Sequence, residues 1–460
     1  MWTRSSQKRP QKIRRSLGLS PQSILVSGFA ALIVIGTLLL CLPMSQATGD
    51  ISLLDALFTA TSAVCVTGLT VVDTGSDFSP IGQGIILLLI QAGGLGVMAF
   101  AAMAFDFIGR TMSLRAQTAF NESFFQRDAA AEFRHRLSQI LKTVFAFEAG
   151  GALLLFVGFA RYHSLPMAAS SAVFHAVSAF CNAGFSLYQE SLIDFRHDGF
   201  IILPISILIV AGGIGQPVLL ELLRRIRHGC QPAPGRRGFS LHTRVVLWSS
   251  FVLIVGGAVL LALAGMTAAE GSVLERGSAA LFQSVTARTA GFNTVHISGL
   301  PLASLLVLCA LMFVGGSPGS CAGGIKTTTA VLWLAQFTSR ILGRKRPAIF
   351  GRHIPGELVR RASTLVGLAL LWNFLGVLLL AVTEAGLANA QLKDILFEQL
   401  SAFGTVGLST GLTTQLSIPG QLWIILSMFV GRVGPLTLVV WAFYQKTPGV
   451  RLPEGKVMIG

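Results

Sequence analysis

Four short segments of this sequence share residue types that could present main-chain oxygen atoms to a cation. They read LFTATSAVCVTGLT at 57–70, VFHAVSAFCNAGFS at 173–186, LFQSVTARTAGFNT at 281–294 and LFEQLSAFGTVGLS at 396–409. Each contains a glycine followed by Leu or Phe, and glycine reaches positive φ without the steric penalty that a Cβ brings. Successive carbonyl groups around such a glycine can point the same way, and rings of carbonyls can replace the hydration shell of a monovalent cation.

The spacing of these segments indicates an internal repeat. Gly68, Gly184, Gly291 and Gly407 follow one another at intervals of 116, 107 and 116 residues, and the third copy is one residue shorter than the others. In a membrane chain, a repeat indicates pseudo-symmetry around a shared pathway. A single glycine would more often serve close helix packing. Four equivalent glycines favour a common role in one pore.

The composition is that of an integral membrane protein. Hydrophobic residues make up 52% of the chain and charged residues 12%, and the mean hydropathy is +0.69. Apolar stretches that mostly suffice to cross a bilayer predict about eight spans. They lie at 24–42, 80–104, 143–160, 200–220, 245–263, 302–314, 364–382 and 422–440. The first is expected to be a retained helix, because its apolar part is too long for a cleaved signal peptide.

The segment before each glycine is too short to cross a bilayer and must enter and turn back. Irregular backbone at membrane depth is tolerated where it lines a water-filled cavity. The sequence thus predicts an all-α integral membrane fold with eight transmembrane helices, in four helix–pore loop–helix repeats around a pseudo-fourfold pore. The predicted units are a basic N-terminal tail at 1–20, repeats at 21–109, 140–223, 244–340 and 360–445, and a C-terminal tail at 446–460.

The distribution of charge predicts an orientation. Most of the 35 Lys and Arg residues fall in segments expected on one side of the membrane, namely the N-terminal tail, 110–142, 224–244, 340–361 and the C-terminal tail. Basic residues are retained on the cytoplasmic side, so both termini are expected there. The net charge of +15 reflects this topology and contact with anionic lipid, and it requires no nucleic acid. Acidic residues concentrate in external segments, where they would attract cations.

The helix after each glycine segment carries a second repeated pattern. It reads QAGGLG at 91–96, VAGGIG at 210–215, FVGGSPG at 313–319 and FVGRVG at 429–434. In the third copy, small and helix-breaking residues continue to residue 329, so a continuous helix is not expected. This stretch is either an intramembrane loop or a cytoplasmic connector. In the fourth copy, Arg432 replaces a glycine, and a charge within the membrane usually faces a cavity or a partner.

Three smaller features have less specific meanings. Arg432 could pair with a carbonyl group or with a carboxylate such as Glu148, whose own role stays open. Residues 315–319 match the G-x-S-x-G nucleophile elbow, but the sequence offers no nearby His or Asp partner, so an enzyme is not expected. The six cysteines include no CxxC pair and predict neither a disulfide framework nor a metal site.

The four glycine segments resemble the filter segments of the superfamily of potassium transporters that contains KtrB, TrkH and the fungal and plant Trk and HKT proteins. SAVCVTGL, SAFCNAGF, TARTAGFNT and SAFGTVGLSTGLT carry the resemblance, and the KtrB branch fits best. It implies a selectivity filter for K⁺, coordinated by filter carbonyls. The implied filter residues are Val66, Thr67, Gly68, Asn182, Ala183, Gly184, Thr289, Ala290, Gly291, Thr405, Val406 and Gly407. Glycine in all four copies implies a preference for K⁺, since some relatives with serine in the first copy admit Na⁺ more readily.

The resemblance also implies a gate and a regulator. The gate would combine the intramembrane loop of the third repeat with Arg432, which acts as an electrostatic barrier below the filter. Its implied residues are Gly315, Gly316, Ser317, Gly319, Ser320, Gly323, Gly324, Lys326 and Arg432. KtrB-like subunits are homodimers on a cytosolic ring of KtrA- or TrkA-type RCK subunits. ATP or ADP would bind to that partner, and no cofactor is expected on this chain, which lacks a Rossmann pattern.

Together these features predict K⁺ uptake across the bacterial inner membrane. The alternative is a sodium-coupled potassium symporter with a closed site at the midplane, since internal repeats and broken helices also occur in secondary transporters.

Overall fold

The fold is almost entirely helical. The computed structural model describes residues 21–47, 49–110, 125–228, 238–266, 272–344, 346–387, 391–435 and 437. These ranges contain fourteen α-helices and one antiparallel hairpin, in which β1 (Ala348–Ile349) pairs with β2 (Arg352–His353). The predicted tails at 1–20 and 446–460 lie outside the described residues.

Long, short and second helices alternate along the chain. The long helices are α1 (Pro21–Leu40), α4 (Phe125–Phe159), α8 (Leu241–Leu263) and α12 (Gly356–Thr383). The short helices are α2 (Leu53–Cys65), α5 (Leu165–Phe180), α9 (Val273–Thr286) and α13 (Leu392–Gly404). The second helices are α3 (Pro80–Arg110), α6 (Gly199–Gly213), α10 (Leu302–Phe313) and α14 (Ile418–Val433). Two further helices, α7 (Gln216–His228) and α11 (Thr327–Ile341), follow α6 and α10.

The apolar helices make the chain a multi-pass membrane protein. Among the described residues, α1, α3, α4, α8 and α12 are long and apolar enough to cross a bilayer. Helices α6 and α7 would add a sixth span, but they meet at an angle of 111°. The span predicted at 200–220 coincides with this bent helix pair and stays a prediction. Helices α10 and α14 have only 12 and 16 residues, so eight full-length spans stay a prediction.

Two of the four short helices begin with a capping box. Ser52 and Asp55 form a capping box at the start of α2, and Ser272 and Glu275 form one at the start of α9. Each box satisfies two main-chain N–H groups that the first helical turn leaves unpaired. The short helices contain 13 to 16 residues, more than the ten or so expected from the sequence. At ~1.5 Å per residue they still fall short of a bilayer core of about 30 Å.

The helices pack in a cyclic order. Helix α3 contacts α5, α6 contacts α9, α10 contacts α13, and α14 contacts α2. Each second helix thus lies against the short helix of the next copy, and the fourth copy returns to the first. This is the order that four copies around one axis would have.

Candidate functional site

The four glycines that end the repeated segments lie next to one another. A Cβ on Gly184 would come within 2.7 Å of the carbonyl oxygen of Ala290, and a Cβ on Gly68 would overlap the carbonyl of Ala183. A Cβ on Gly291 would lie 3.1 Å from the Cα of Gly184 and 3.2 Å from that of Gly407.

The remaining contacts close a ring. Gly291 faces the carbonyl oxygen of Val406, and Gly407 faces that of Thr67, so the fourth copy touches the first. We call Gly68, Gly184, Gly291 and Gly407 the glycine ring. Its members approach so closely that no side chain fits between neighbouring copies.

All four copies adopt the same backbone conformation at the ring. The ring glycines have φ values of 90°, 71°, 79° and 93° in chain order. Two residues earlier, Val66, Asn182, Thr289 and Thr405 also have positive φ, between 49° and 74°. Three of these four are β-branched, for which this region is strongly disfavoured. Such strain persists only where the surroundings impose it, and it tends to accumulate at functional sites.

Hydrogen bonds to the last turn of each short helix hold this conformation. The carbonyl of Ser62 accepts the N–H of Thr67 at 2.8 Å, and that of Ser178 accepts the N–H of Ala183 at 2.7 Å. In the fourth copy the N–H of Val406 donates to Ser401 at 2.9 Å. In the third, shorter copy, the N–H of Ala290 donates to Thr286 at 2.9 Å. The third copy, which is one residue shorter, therefore makes a tighter turn.

The side chains next to the ring are almost fully buried. Val66, Thr67, Asn182, Ala183, Thr289, Ala290, Thr405 and Val406 are each no more than 1% exposed. The Asn182 amide lies 3.1 Å from the carbonyl of Ile209 and 3.3 Å from the Thr289 hydroxyl, which joins the second copy to the third. What remains at the ring is main chain. Main-chain oxygens at the negative ends of four short helices favour a cation.

A loop at 314–326 separates α10 from α11 and packs beside the ring. The interruption of the helix agrees with the sequence prediction. A Cβ on Gly315 would lie 3.1 Å from Cγ2 of Thr289, and one on Gly323 would overlap the side chain of Thr405. Val314 and Ile325 bridge in parallel, with the Gly315 N–H donating to Ile325 at 2.9 Å. The predicted gate loop therefore contacts the residues that precede the ring in two copies.

The same loop fills the break between α6 and α7. The N–H of Ser317 donates to the carbonyl of Gly213 at 2.9 Å, and the N–H of Gln216 donates to that of Gly319 at 2.9 Å. Gly215 at the break has φ of 89°, and a Cβ there would lie 2.6 Å from the carbonyl oxygen of Pro318. The sequence did not identify Gly215 as a site residue. Its only sequence signal was the repeated glycine pattern that α3 also carries.

Arg432 is buried and bridges three elements. Its Nη2 donates to the carbonyl of Gly93 in α3 at 3.0 Å, and its Nη1 donates to the carbonyl of Cys321 in the 314–326 loop. The sequence left carbonyl groups and carboxylates such as Glu148 as candidate partners of Arg432. The structure shows carbonyl groups. Its charge is held beside the loop.

Glu148 lies in a separate contact. Its Oε2 accepts a hydrogen bond from Nε2 of Gln91 at 3.1 Å, and its Oε1 lies 3.9 Å from the Cys181 thiol. Within the described residues, Glu148 forms no salt bridge with Arg432. The glutamate thereby links α4 to α3 and to the end of α5.

The remaining polar residues of the loop stabilise the loop itself. Lys326 donates from Nζ to the carbonyl of Ala322, and Ser320 donates to the carbonyl of Ser317 at 2.6 Å. The Ser317 hydroxyl pairs with that of Thr327 at 3.0 Å. Ser317 lies in a loop between two helices, whereas a nucleophile elbow requires a strand-to-helix turn. The elbow match is therefore a coincidence of sequence.

Comparison with known proteins gives one consistent result. Residues 19–448 match the model of the TrkH family, described as cation transport protein. The chain is 35% identical to the Ktr system potassium uptake protein B of Bacillus subtilis, over 98% of this chain and 99% of that protein. It is 36% identical to the potassium/sodium uptake protein NtpJ of Enterococcus hirae, over 96% and 98% of the two chains.

A solved structure shares the fold. The potassium transporter TrkH of Vibrio parahaemolyticus superposes with a TM-score of 0.72 at 18% identity, covering 94% of this chain and 86% of that one. The resemblance seen in the glycine segments is thereby confirmed, as is the expectation that the chain is not an enzyme. The chain belongs to the TrkH family of cation transport proteins.

Proposed function

We propose that this protein takes up K⁺ across the bacterial inner membrane through a channel-like pore whose selectivity filter is the glycine ring with its preceding residues. The observation that carries the proposal is the closure of the ring, in which each glycine faces a carbonyl of the next copy. Two relatives with near full-length matches are named as potassium uptake and potassium/sodium uptake proteins. The concentration of basic residues in predicted cytoplasmic segments supports cytoplasmic termini.

The ring has the chemistry of a cation filter. Carbonyl oxygens replace the water molecules that a cation loses on entering the filter. Because they carry no full negative charge, the ion can also leave. The strained residues Val66, Thr289 and Thr405 direct the backbone while their side chains are buried. Four short helices add the negative ends of their dipoles.

The gate in this proposal is the 314–326 loop together with Arg432. The loop contacts the residues before the ring, and the guanidinium of Arg432 donates to the loop at Cys321. A positive charge near the path raises the energy of a passing cation, because charges interact strongly where water is scarce. If the loop moved away, it would no longer obstruct the path, and Arg432 would lose its hydrogen bond to Cys321.

Regulation would come from other chains. We propose a homodimer with one pore per chain, seated on a cytosolic ring of KtrA- or TrkA-type RCK subunits that bind ATP or ADP. The basic segments at 224–244 and 340–361 supply candidate docking or lipid-contact surfaces. Mixing purified protein with such a ring, with and without ATP, and measuring the mass of the complex tests this part independently of transport.

Growth rescue tests the main proposal. A bacterium deficient in K⁺ uptake should grow at low external K⁺ when it expresses this chain. The chain with Gly291→Ser should rescue growth less well, although it is made to the same level. Absence of rescue by the parent chain, together with absence of K⁺ flux in proteoliposomes, would contradict K⁺ uptake.

A sodium-coupled symporter is the second candidate. The name of the Enterococcus hirae relative, a potassium/sodium uptake protein, favours its consideration. K⁺ flux into proteoliposomes with and without a Na⁺ gradient separates the two. An absolute requirement for Na⁺ would establish coupling, whereas flux driven by K⁺ alone supports a pore.

A further inference from the structure

One position of the short helices holds a different residue in every copy. It directly follows the Phe near the start of each segment. The residues at this position are, in chain order, Thr59, His175, Gln283 and Glu398. All four side chains are fully or almost fully buried. A buried carboxylate, imidazole and amide are costly unless each finds a partner. Their contacts differ between copies.

In the fourth copy, Glu398 binds the segment that leaves the ring. Its Oε1 accepts from the Ser409 hydroxyl at 2.5 Å and from the Thr410 N–H at 2.9 Å. Its Oε2 accepts from the Thr413 hydroxyl at 2.6 Å. Ser409 is the second residue after Gly407. One carboxylate on the short helix therefore fixes the chain on the far side of the filter glycine.

In the second copy, His175 makes the equivalent contact. Its Nδ1 lies 2.8 Å from the carbonyl of Ser171, which can only accept, so Nδ1 carries the proton. Nε2 of the neutral ring then accepts from the Ser186 hydroxyl at 3.0 Å. Ser186 is the second residue after Gly184, as Ser409 is after Gly407. The imidazole also stacks on Tyr188 at 5.2 Å between ring centroids, which fixes its orientation.

The first and third copies lack this contact. Among the described residues, the Thr59 hydroxyl and both polar atoms of the Gln283 amide have no hydrogen-bond partner. The residue equivalent to Ser409 in the third copy, Asn293, donates from its amide to Val295 at 3.3 Å. The bonded copies, second and fourth, lie opposite each other in the ring, since the glycines contact one another in the cyclic order first, second, third, fourth and back to first.

We propose that His175 and Glu398 are positioning residues that brace one diagonal of the filter and thereby set its preference for K⁺ over Na⁺. The segments that follow Gly184 and Gly407 are held at a fixed distance from the axis. This hinders the ring from contracting around the smaller Na⁺. On the other diagonal, Thr59 and Gln283 supply no such brace. This inference rests on the filter role of the glycine ring proposed above.

Removing one hydroxyl at a time tests the bracing with little change in volume. Ser409→Ala and Ser186→Ala are assayed in the full-length chain for K⁺ and Na⁺ uptake into proteoliposomes. Each should lower the K⁺/Na⁺ uptake ratio by about two- to tenfold, the factor that corresponds to one net hydrogen bond. Ser409→Thr keeps a hydroxyl and should restore the ratio. Thr70→Ala, at the matched position of the first copy, should leave the ratio unchanged.

Two further measurements keep the outcome interpretable. The K⁺-dependent rise in Tm of the purified protein, compared with that in Na⁺, should shrink in both alanine variants even where uptake is lost. Gly291→Ser in the same assay tests the filter itself. If Gly291→Ser lowers the ratio while Ser409→Ala and Ser186→Ala match the parent, the bracing is wrong and the filter stands. An equal decrease in the K⁺/Na⁺ uptake ratio of Thr70→Ala would also overturn the diagonal arrangement.

Discussion

The guanidinium of Arg432 donates a hydrogen bond to the main-chain carbonyl of Cys321, a residue 111 positions earlier in the chain. The bond joins α14 of the fourth repeat to the loop that interrupts the third. A second bond, to Gly93, ties the same side chain to the first repeat. One charged residue thus joins parts of the first, third and fourth copies, and it replaces a residue that is glycine in the three other copies of the pattern.

Replacing Arg432 should increase K⁺ flux in the protein without its cytosolic partners. Arg432→Gln removes the positive charge and leaves at most one donor group for two carbonyls. We expect flux into proteoliposomes to rise severalfold, since the loop loses an anchor and the path loses a repulsive charge. Arg340→Gln, an exposed residue in the last turn of α11, is the control and should behave like the parent. A folded Arg432→Gln protein with reduced or unchanged flux would contradict the gate.

Deleting residues 315–324 should also raise flux. The deletion removes the loop that contacts Thr289 and Thr405 before the ring. Flux is measured as K⁺ efflux from loaded vesicles, and thermal unfolding in detergent reports whether the fold is retained. Loss of flux in a protein that unfolds like the parent would show that the loop builds the pathway and does not obstruct it.

Gly215 should tolerate a side chain poorly for two separable reasons. Alanine at positive φ costs about 1–2 kcal/mol. At Gly215 a Cβ would also press on the carbonyl of Pro318. Gly49 has φ of 79° with no atom within 4 Å of a Cβ, so Gly49→Ala isolates the backbone cost. We expect Gly215→Ala to lower Tm more than Gly49→Ala. Equal decreases in Tm would show that Gly215, at the break between α6 and α7, does not pack tightly against the 314–326 loop.

The ring was predictable because it depends on local, repeated sequence. The four glycines, the short helix before each and the loop after residue 314 follow from residue types and spacing alone. Contacts between distant residues were not accessible in the same way. Gly215 breaks its helix while the similar pattern at 91–96 lies inside the continuous helix α3. The 314–326 loop forms hydrogen bonds on both sides of the break at Gly215, to Gly213 and from Gln216, whereas α3 stays continuous.

The partners of buried polar residues were equally inaccessible to sequence reasoning. Arg432 was recognised as an unusual charge, but the choice between carbonyl groups and Glu148 depends on how α3, α4 and α14 pack. Glu148 instead accepts from Gln91. The pairing of His175 with Ser186 and of Glu398 with Ser409 spans a strained turn whose geometry the spacing does not define.

We propose that four main-chain segments form one cation filter, and the K⁺/Na⁺ uptake ratio of the Gly291→Ser variant tests this filter. Gly84→Ser is the matched control, because Gly84 lies on an exposed face of α3 with no atom within 4 Å of a Cβ. We expect Gly291→Ser to lower the ratio about tenfold, equivalent to ~1.4 kcal/mol between the two ions, and Gly84→Ser to leave it unchanged. A parental ratio in a folded Gly291→Ser protein would contradict it.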